Sequence, residues 1–124
     1  MRCPCGKKSE VRTYAECCRP YHAGLRAPAT AEALMRSRYS AFAMKDSNYI
    51  HATWHRTTRP PRITFVTGEA WLALRVLATS TDADSATVEF MARSLVDGQS
   101  KTLHEVSRFV REDGRWSYVD GVIN

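Results

Sequence analysis

Cysteine is the residue type whose placement most restricts the chemistry of this sequence. All four of its cysteines lie within the first 18 of 124 residues, as Cys3-Pro4-Cys5, an eleven-residue spacer that begins with Gly6, then Cys17-Cys18. The opening MRCPCGKKSE has neither the apolar core nor the cleavage site of a secretion signal, so a cytoplasmic protein is expected. In that reducing compartment, clustered cysteines favour a metal site over a disulfide network. Four thiolates suit tetrahedral Zn2+, with sulfur at about 2.3 Å, and a closed set leaves no open position for a catalytic water, so the implied role is structural. Iron is the alternative for the same sulfur ligands. Buried free thiols or a disulfide are the competing readings of the cysteines, and His22 would stand in for Cys17 or Cys18 if the adjacent pair cannot both reach the ion.

A second group centres on Arg38. It falls at helical spacing with Leu34 and Phe42, on or beside a buried stripe, where a guanidinium needs a carboxylate or a ligand to offset its desolvation. Glu105 and Asp120 are the expected partners, and Tyr39, Trp54, His55 and Trp116 the expected neighbours in a pocket between helices and sheet. The competing reading is a buried arginine–carboxylate pair that only fixes the fold. His51 and His55 stand at i and i+4, the spacing that puts two imidazoles on one helix face, but no Glu follows His51, so the H-E-x-x-H hydrolase pattern is missing. No nucleophile with an adjacent base, phosphate loop or dinucleotide fingerprint can be read, which weighs against catalysis.

The elements that must position these residues are set by periodicity. Thr30 is suited to cap a helix with Glu32 in its first turn, and Leu34, Met35, Arg38, Tyr39, Phe42 and Ala43 give that helix one buried stripe as far as about Lys45. Asp46 or Ser47 caps a shorter helix holding Tyr49, Ile50, Thr53 and Trp54, which must end before Arg59-Pro60-Pro61. Strands are predicted over 71–78, 87–95, 102–112 and 115–120. Leu72, Leu74, Val76 and Ala78 alternate in the first, and Asp97-Gly98 and Asp113-Gly114 mark hairpin turns. An antiparallel meander with one apolar face needs the helices as its cover, which defines an α+β fold.

Charge is uneven. Residues 1–62 carry 12 basic and 4 acidic groups, residues 63–124 carry 6 and 9, and the net formal charge is +5. Arg2, Lys7, Lys8, Arg12, Arg19 and Arg26 surround the cysteines, an arrangement suited to phosphate backbones.

Cys3-Pro-Cys5-Gly with Cys17-Cys18 resembles the SEC-C motif, a small zinc-binding module. Leu34-Met-Arg-Ser-Arg-Tyr-Ser-Ala-Phe42, Lys45-Asp46, Tyr49 and Thr53-Trp-His55 are similar to the YchJ-like family of bacterial proteins. So is the ending, with Glu105, Ser107, Arg108, Phe109, Glu112, Gly114, Trp116, Tyr118, Asp120 and Gly121. The resemblance implies a SEC-C head over 1–24 on a nuclear-transport-factor-2-like cone over 25–124, with helices on a curved four-stranded antiparallel sheet. It implies Cys3, Cys5, Cys17 and Cys18 as metal ligands. The basic head is expected to dock on a macromolecule (ribosome, RNA or protein), the resemblance adding the ribosome and protein partners to the RNA that the charge suits, with small-molecule binding or catalysis in the cone around Arg38 as the alternative. A homodimer through the sheet is a further expectation, and no membrane association is expected.

Overall fold

A computed structural model describes residues 1–6 and 12–124. Lys7 and Lys8, two of the cations expected around the cysteines, lie outside the described residues. The chain runs through a 3-10 turn (Tyr14–Glu16), α1 (Arg19–His22), α2 (Ala31–Met44), α3 (Ser47–Ala52) and four strands, β1 (Glu69–Asp82), β2 (Ser85–Val96), β3 (Gln99–Glu112) and β4 (Arg115–Ile123). The strands form one antiparallel meander in the order β1-β2-β3-β4. Its inward face meets α2 through Leu34, Met35 and Tyr39 on the helix and Val88, Phe90, Ala92, Phe109 and Trp116 on the sheet. Among the described residues no helix is long and apolar enough to cross a membrane.

Side-chain caps set the helix boundaries. Thr30 Oγ1 accepts the Ala33 N–H at 3.0 Å, and Asp46 Oδ1 accepts the Tyr49 N–H at 3.1 Å, each satisfying an otherwise orphaned donor of a first turn. Between them Lys45 takes a left-handed conformation (φ +59°) and ends α2. The helix α3 stops at Ala52, two residues short of the expected Trp54. Thr53 Oγ1 bonds back to the Tyr49 carbonyl at 2.7 Å, and Trp54 leaves the helix to bridge Tyr118. His55 is therefore off the helix, and the paired face expected of His51 and His55 does not form.

Each strand extends beyond its predicted limits. The Asp97-Gly98 and Asp113-Gly114 turns have positive φ at both residues, as the mirror-image hairpin turn requires, and the first hairpin places Ala83 at φ +53°. In β1 the expected alternation is interrupted. Register shifts at Leu72 and Leu77 leave both half exposed, so Trp71, Leu74 and Val76 face the core instead of an unbroken Leu72-Leu74-Val76-Ala78 series. Bulges of this kind bend a strand and increase its local twist, curving the sheet around α2.

One expectation about α2 needs correction. It is buried on two sides, not along a single stripe: besides the sheet-facing residues, Ser37 and Ser40 are fully buried. That second side receives the N-terminal head.

Candidate metal centre and cone cavity

Three local interactions bring the two cysteine pairs together. Arg2 and Thr13 form an antiparallel bridge, with the Cys3 N–H donating to the Arg12 carbonyl at 2.9 Å. The Cys3-Pro4-Cys5-Gly6 turn closes with Gly6 N–H on the Cys3 carbonyl at 3.2 Å, and Gly6 sits at φ +55°, a conformation a side chain would strain. Thr13 then caps the 3-10 turn that delivers Cys17 and Cys18.

The result is a cluster in which the Sγ atoms of Cys3, Cys5, Cys17 and Cys18 all lie within 4.8 Å of one another. Cys5 and Cys17 are 3.6 Å apart and Cys17 and Cys18 4.0 Å, far too long for a disulfide and close to the edge of about 3.8 Å that a sulfur tetrahedron with 2.3 Å bonds requires. All four thiols are free of disulfides and three are buried. Their protonation is shared unevenly. S–H groups of Cys18 and Cys5 donate to Cys3 and hold it far below the usual thiol range, whereas donation to Cys3 pushes Cys18 far above it. Burial raises Cys17 to about 12. Four thiolates in so small a volume need a cation to balance them, and the donor set fits a soft or borderline dication.

The site does not stand alone on a free knuckle. Ser40 Oγ donates to Cys18 Sγ at 3.3 Å and lies 3.6 Å from Cys3 Sγ, so a hydroxyl of α2 supports the sulfurs from outside the ligand set. Arg36 Nη1 donates to the Cys5 carbonyl at 3.0 Å while its Nε binds Glu32 at 2.9 Å. His22 has a different task from that of a substitute ligand. Its Nε2–H donates to the Ser37 carbonyl and its Nδ1 pairs with the Tyr14 hydroxyl, both at 2.8 Å, with the ring against Tyr49. Both nitrogens being used, it joins head to helix.

Arg36, Ser37 and Ser40 are not identifiable as part of the site from sequence. Spaced i, i+1 and i+4 on α2, they read as an ordinary polar helix face, and only the docked head makes that face interior.

The pocket residues divide. Arg38, Tyr39, Trp54 and Glu105 line one cavity between α2 and the sheet, of about 180 Å³, together with Trp71, Ser107 and Tyr118. Arg38 is 5% exposed, and its Nη1 donates to the Ile50 carbonyl at 2.9 Å and to Thr53 Oγ1 at 2.7 Å. Its guanidinium lies over the rings of Tyr118 (4.5 Å) and Trp54 (5.2 Å). Burial lowers it to about 10, which leaves it charged at neutral pH. It forms no ion pair with Glu105 or Asp120. Glu105 projects inward from β3, where Ser107 Oγ donates to its Oε2 at 2.5 Å and the Tyr118 hydroxyl at 3.5 Å.

Three expected members lie elsewhere. Asp120 is turned out of the cavity because Val119 is bulged: Tyr118 pairs with inward Phe109, but Asp120 pairs with outward Arg108 and binds it through two hydrogen bonds of 2.6 and 2.5 Å. His55 is held at the end of β3 by Glu112 at 2.9 Å and by Thr57 at 2.7 Å. Trp116 fills the core beyond the cavity, with the Arg111 guanidinium 5.1 Å from its ring centre.

A nuclear-transport-factor-2-like cone with a four-cysteine head docked on its long helix is the class that this fold and site define. Residues 30–121 match the family model of the YchJ middle domain, described as NTF2-like. The chain is 48% identical to UPF0225 proteins of Ralstonia nicotianae (96% of this chain, 89% of the relative) and Cupriavidus metallidurans (96% and 86%). It is also similar to two solved structures of SEC-C motif containing proteins. That from Rhodopseudomonas palustris has a TM-score of 0.85 and 38% identity over 98% of both chains, and that from Psychrobacter arcticus has 0.82 and 28% over 100% of this chain and 83% of the other. The chain belongs to the YchJ-like, UPF0225 family.

Proposed function

We propose that this protein is a zinc-binding, non-catalytic docking module whose metal head meets a polyanionic partner, RNA within the ribosome being the partner class that fits best. The observation that carries the reading is the sulfur cluster, four Sγ atoms within 4.8 Å of one another at spacings suited to a closed tetrahedron. A closed set supports a structural role, since no coordination position is left for a reacting water. Zinc is favoured over iron because it serves that role without redox chemistry and is the usual occupant of small four-cysteine sites. Docking is supported by charge: Arg2, Arg12 and Arg19 are exposed beside the cysteines in sequence, and Arg26 is exposed in the connector that follows α1. Clustered cations bind phosphate backbones by displacing counterions, so the interaction is salt-dependent.

Co-sedimentation of the zinc-loaded protein with ribosomes at increasing salt tests this. Binding that weakens steeply with salt and is lost in Arg19→Glu/Arg26→Glu is expected. Absence of binding at low salt, or binding indifferent to both salt and the double substitution, contradicts it.

A further inference from the structure

The cavity beneath α2 carries two charged groups that the metal head does not use. Arg38 is almost completely buried, yet only one of its three nitrogens is engaged, Nη1 with Ile50 and Thr53. The donors on Nε and Nη2 have no acceptor among the described residues, and neither nitrogen is sealed into the packed core as the Trp54 and Trp116 indole nitrogens are. Arg38 itself lines the cavity. Burying a guanidinium with unused donors and no paired carboxylate is unfavourable, and a bound anion would supply what is missing.

Glu105 is the second group. Both of its donors, from Ser107 and Tyr118, reach Oε2, leaving Oε1 without a partner among the described residues. Space for this carboxylate is created by Gly121, where a Cβ would overlap the Glu105 side chain. The rest of the wall is aromatic and aliphatic, including Tyr39, Trp54, Trp71 and Phe90. A dry cavity of about 150 Å³ accepts benzene, so this one of about 180 Å³ takes a molecule of roughly six to ten non-hydrogen atoms.

We propose that the cavity binds a small zwitterion with an apolar body, an amino carboxylate the size of leucine. Its carboxylate accepts from the Nε and Nη2 fork of Arg38, the bidentate geometry arginine favours. Its ammonium donates to Glu105 Oε1, and its hydrocarbon body contacts the aromatic wall. The two wall charges together set the selectivity. A simple carboxylate is repelled by Glu105, and a simple amine by Arg38, so each half-ligand lacks one partner and meets one like charge.

The test is a titration of the metal-loaded full-length protein, followed by the tryptophan indole and arginine Nε resonances, with leucine, 4-methylpentanoate and 3-methylbutylamine. Leucine is expected to shift the Arg38 and Trp54 signals and to bind at least about 10-fold more tightly than either half, a difference of about 1.4 kcal/mol. Because Arg38 also anchors α3, the decisive variant is Glu105→Gln, which keeps an acceptor for Ser107 but removes the charge. It should bring leucine and 4-methylpentanoate to within about threefold of each other. No perturbation of these signals by any of the three compounds up to about 10 mM overturns the proposal, as does equal binding of leucine and its halves or a preference unchanged by Glu105→Gln.

Discussion

Removing the Ser40 hydroxyl isolates the contribution of α2 to the metal centre. Ser40 donates to Cys18 Sγ at 3.3 Å, is fully buried and lies within α2, where alanine is a slightly better helix former. A hydrogen bond to a charged acceptor contributes about 1.5–3 kcal/mol, so Ser40→Ala should weaken zinc binding roughly 10- to 100-fold, the range typical of residues that support metal ligands. The metal-free protein should melt closer to the wild type, because the acceptor Cys18 is held protonated there and the lost bond is weaker. Competition against a chromogenic zinc chelator gives the affinity, and thermal unfolding with and without metal gives the two stabilities. An affinity changed by less than about threefold refutes the supporting role. So does an equal loss of stability with and without metal, which would reduce Ser40 to packing.

Three further outcomes are expected from the fold. Gly121→Ala drives a Cβ into Glu105 and should cost about 1–3 kcal/mol, read as a lower midpoint in urea; an unchanged midpoint would mean that Glu105 moves freely. Ala83→Gly relieves a left-handed alanine in the first hairpin and should raise stability by about 0.5–1 kcal/mol in the same assay, with a loss of stability counting against a strained turn. Arg56 and then His55 hold the Glu112 carboxyl below its usual range by hydrogen bonding, and Arg108 does the same for Asp120. Both contributions are present above the unfolded carboxylate range and are lost as pH falls through the depressed values, so thermal stability should decline below about pH 4. The decline should be shallower in Arg56→Ala/Arg108→Ala.

Local structure was legible wherever its determinant was local. Thr30, Asp46 and the two Asp-Gly turns announce their elements because a cap or a turn depends on a few adjacent residues. Bulges are different, since nothing in Trp71-Leu72-Ala73 or Tyr118-Val119-Asp120 distinguishes a bulged residue from regular alternation. One extra residue reverses the facing of the strand beyond it, so Leu72 is exposed and Asp120 leaves Arg38 for Arg108. Cysteine spacing pointed to one cluster, but the residues that fasten it, Arg36, Ser37 and Ser40, are polar side chains whose burial arises only from tertiary docking. Arg38 stood out because a cation on an apolar stripe conflicts with its surroundings, and such conflicts concentrate at sites of function or strain.

Four cysteines, on this reading, hold one structural metal. Elemental analysis of protein purified without added metal, wild type beside Cys17→Ser, tests it most directly. One equivalent of zinc per wild-type chain, lost or much reduced in the variant, is the predicted result, and no metal in the wild type or an equal content in both would contradict it.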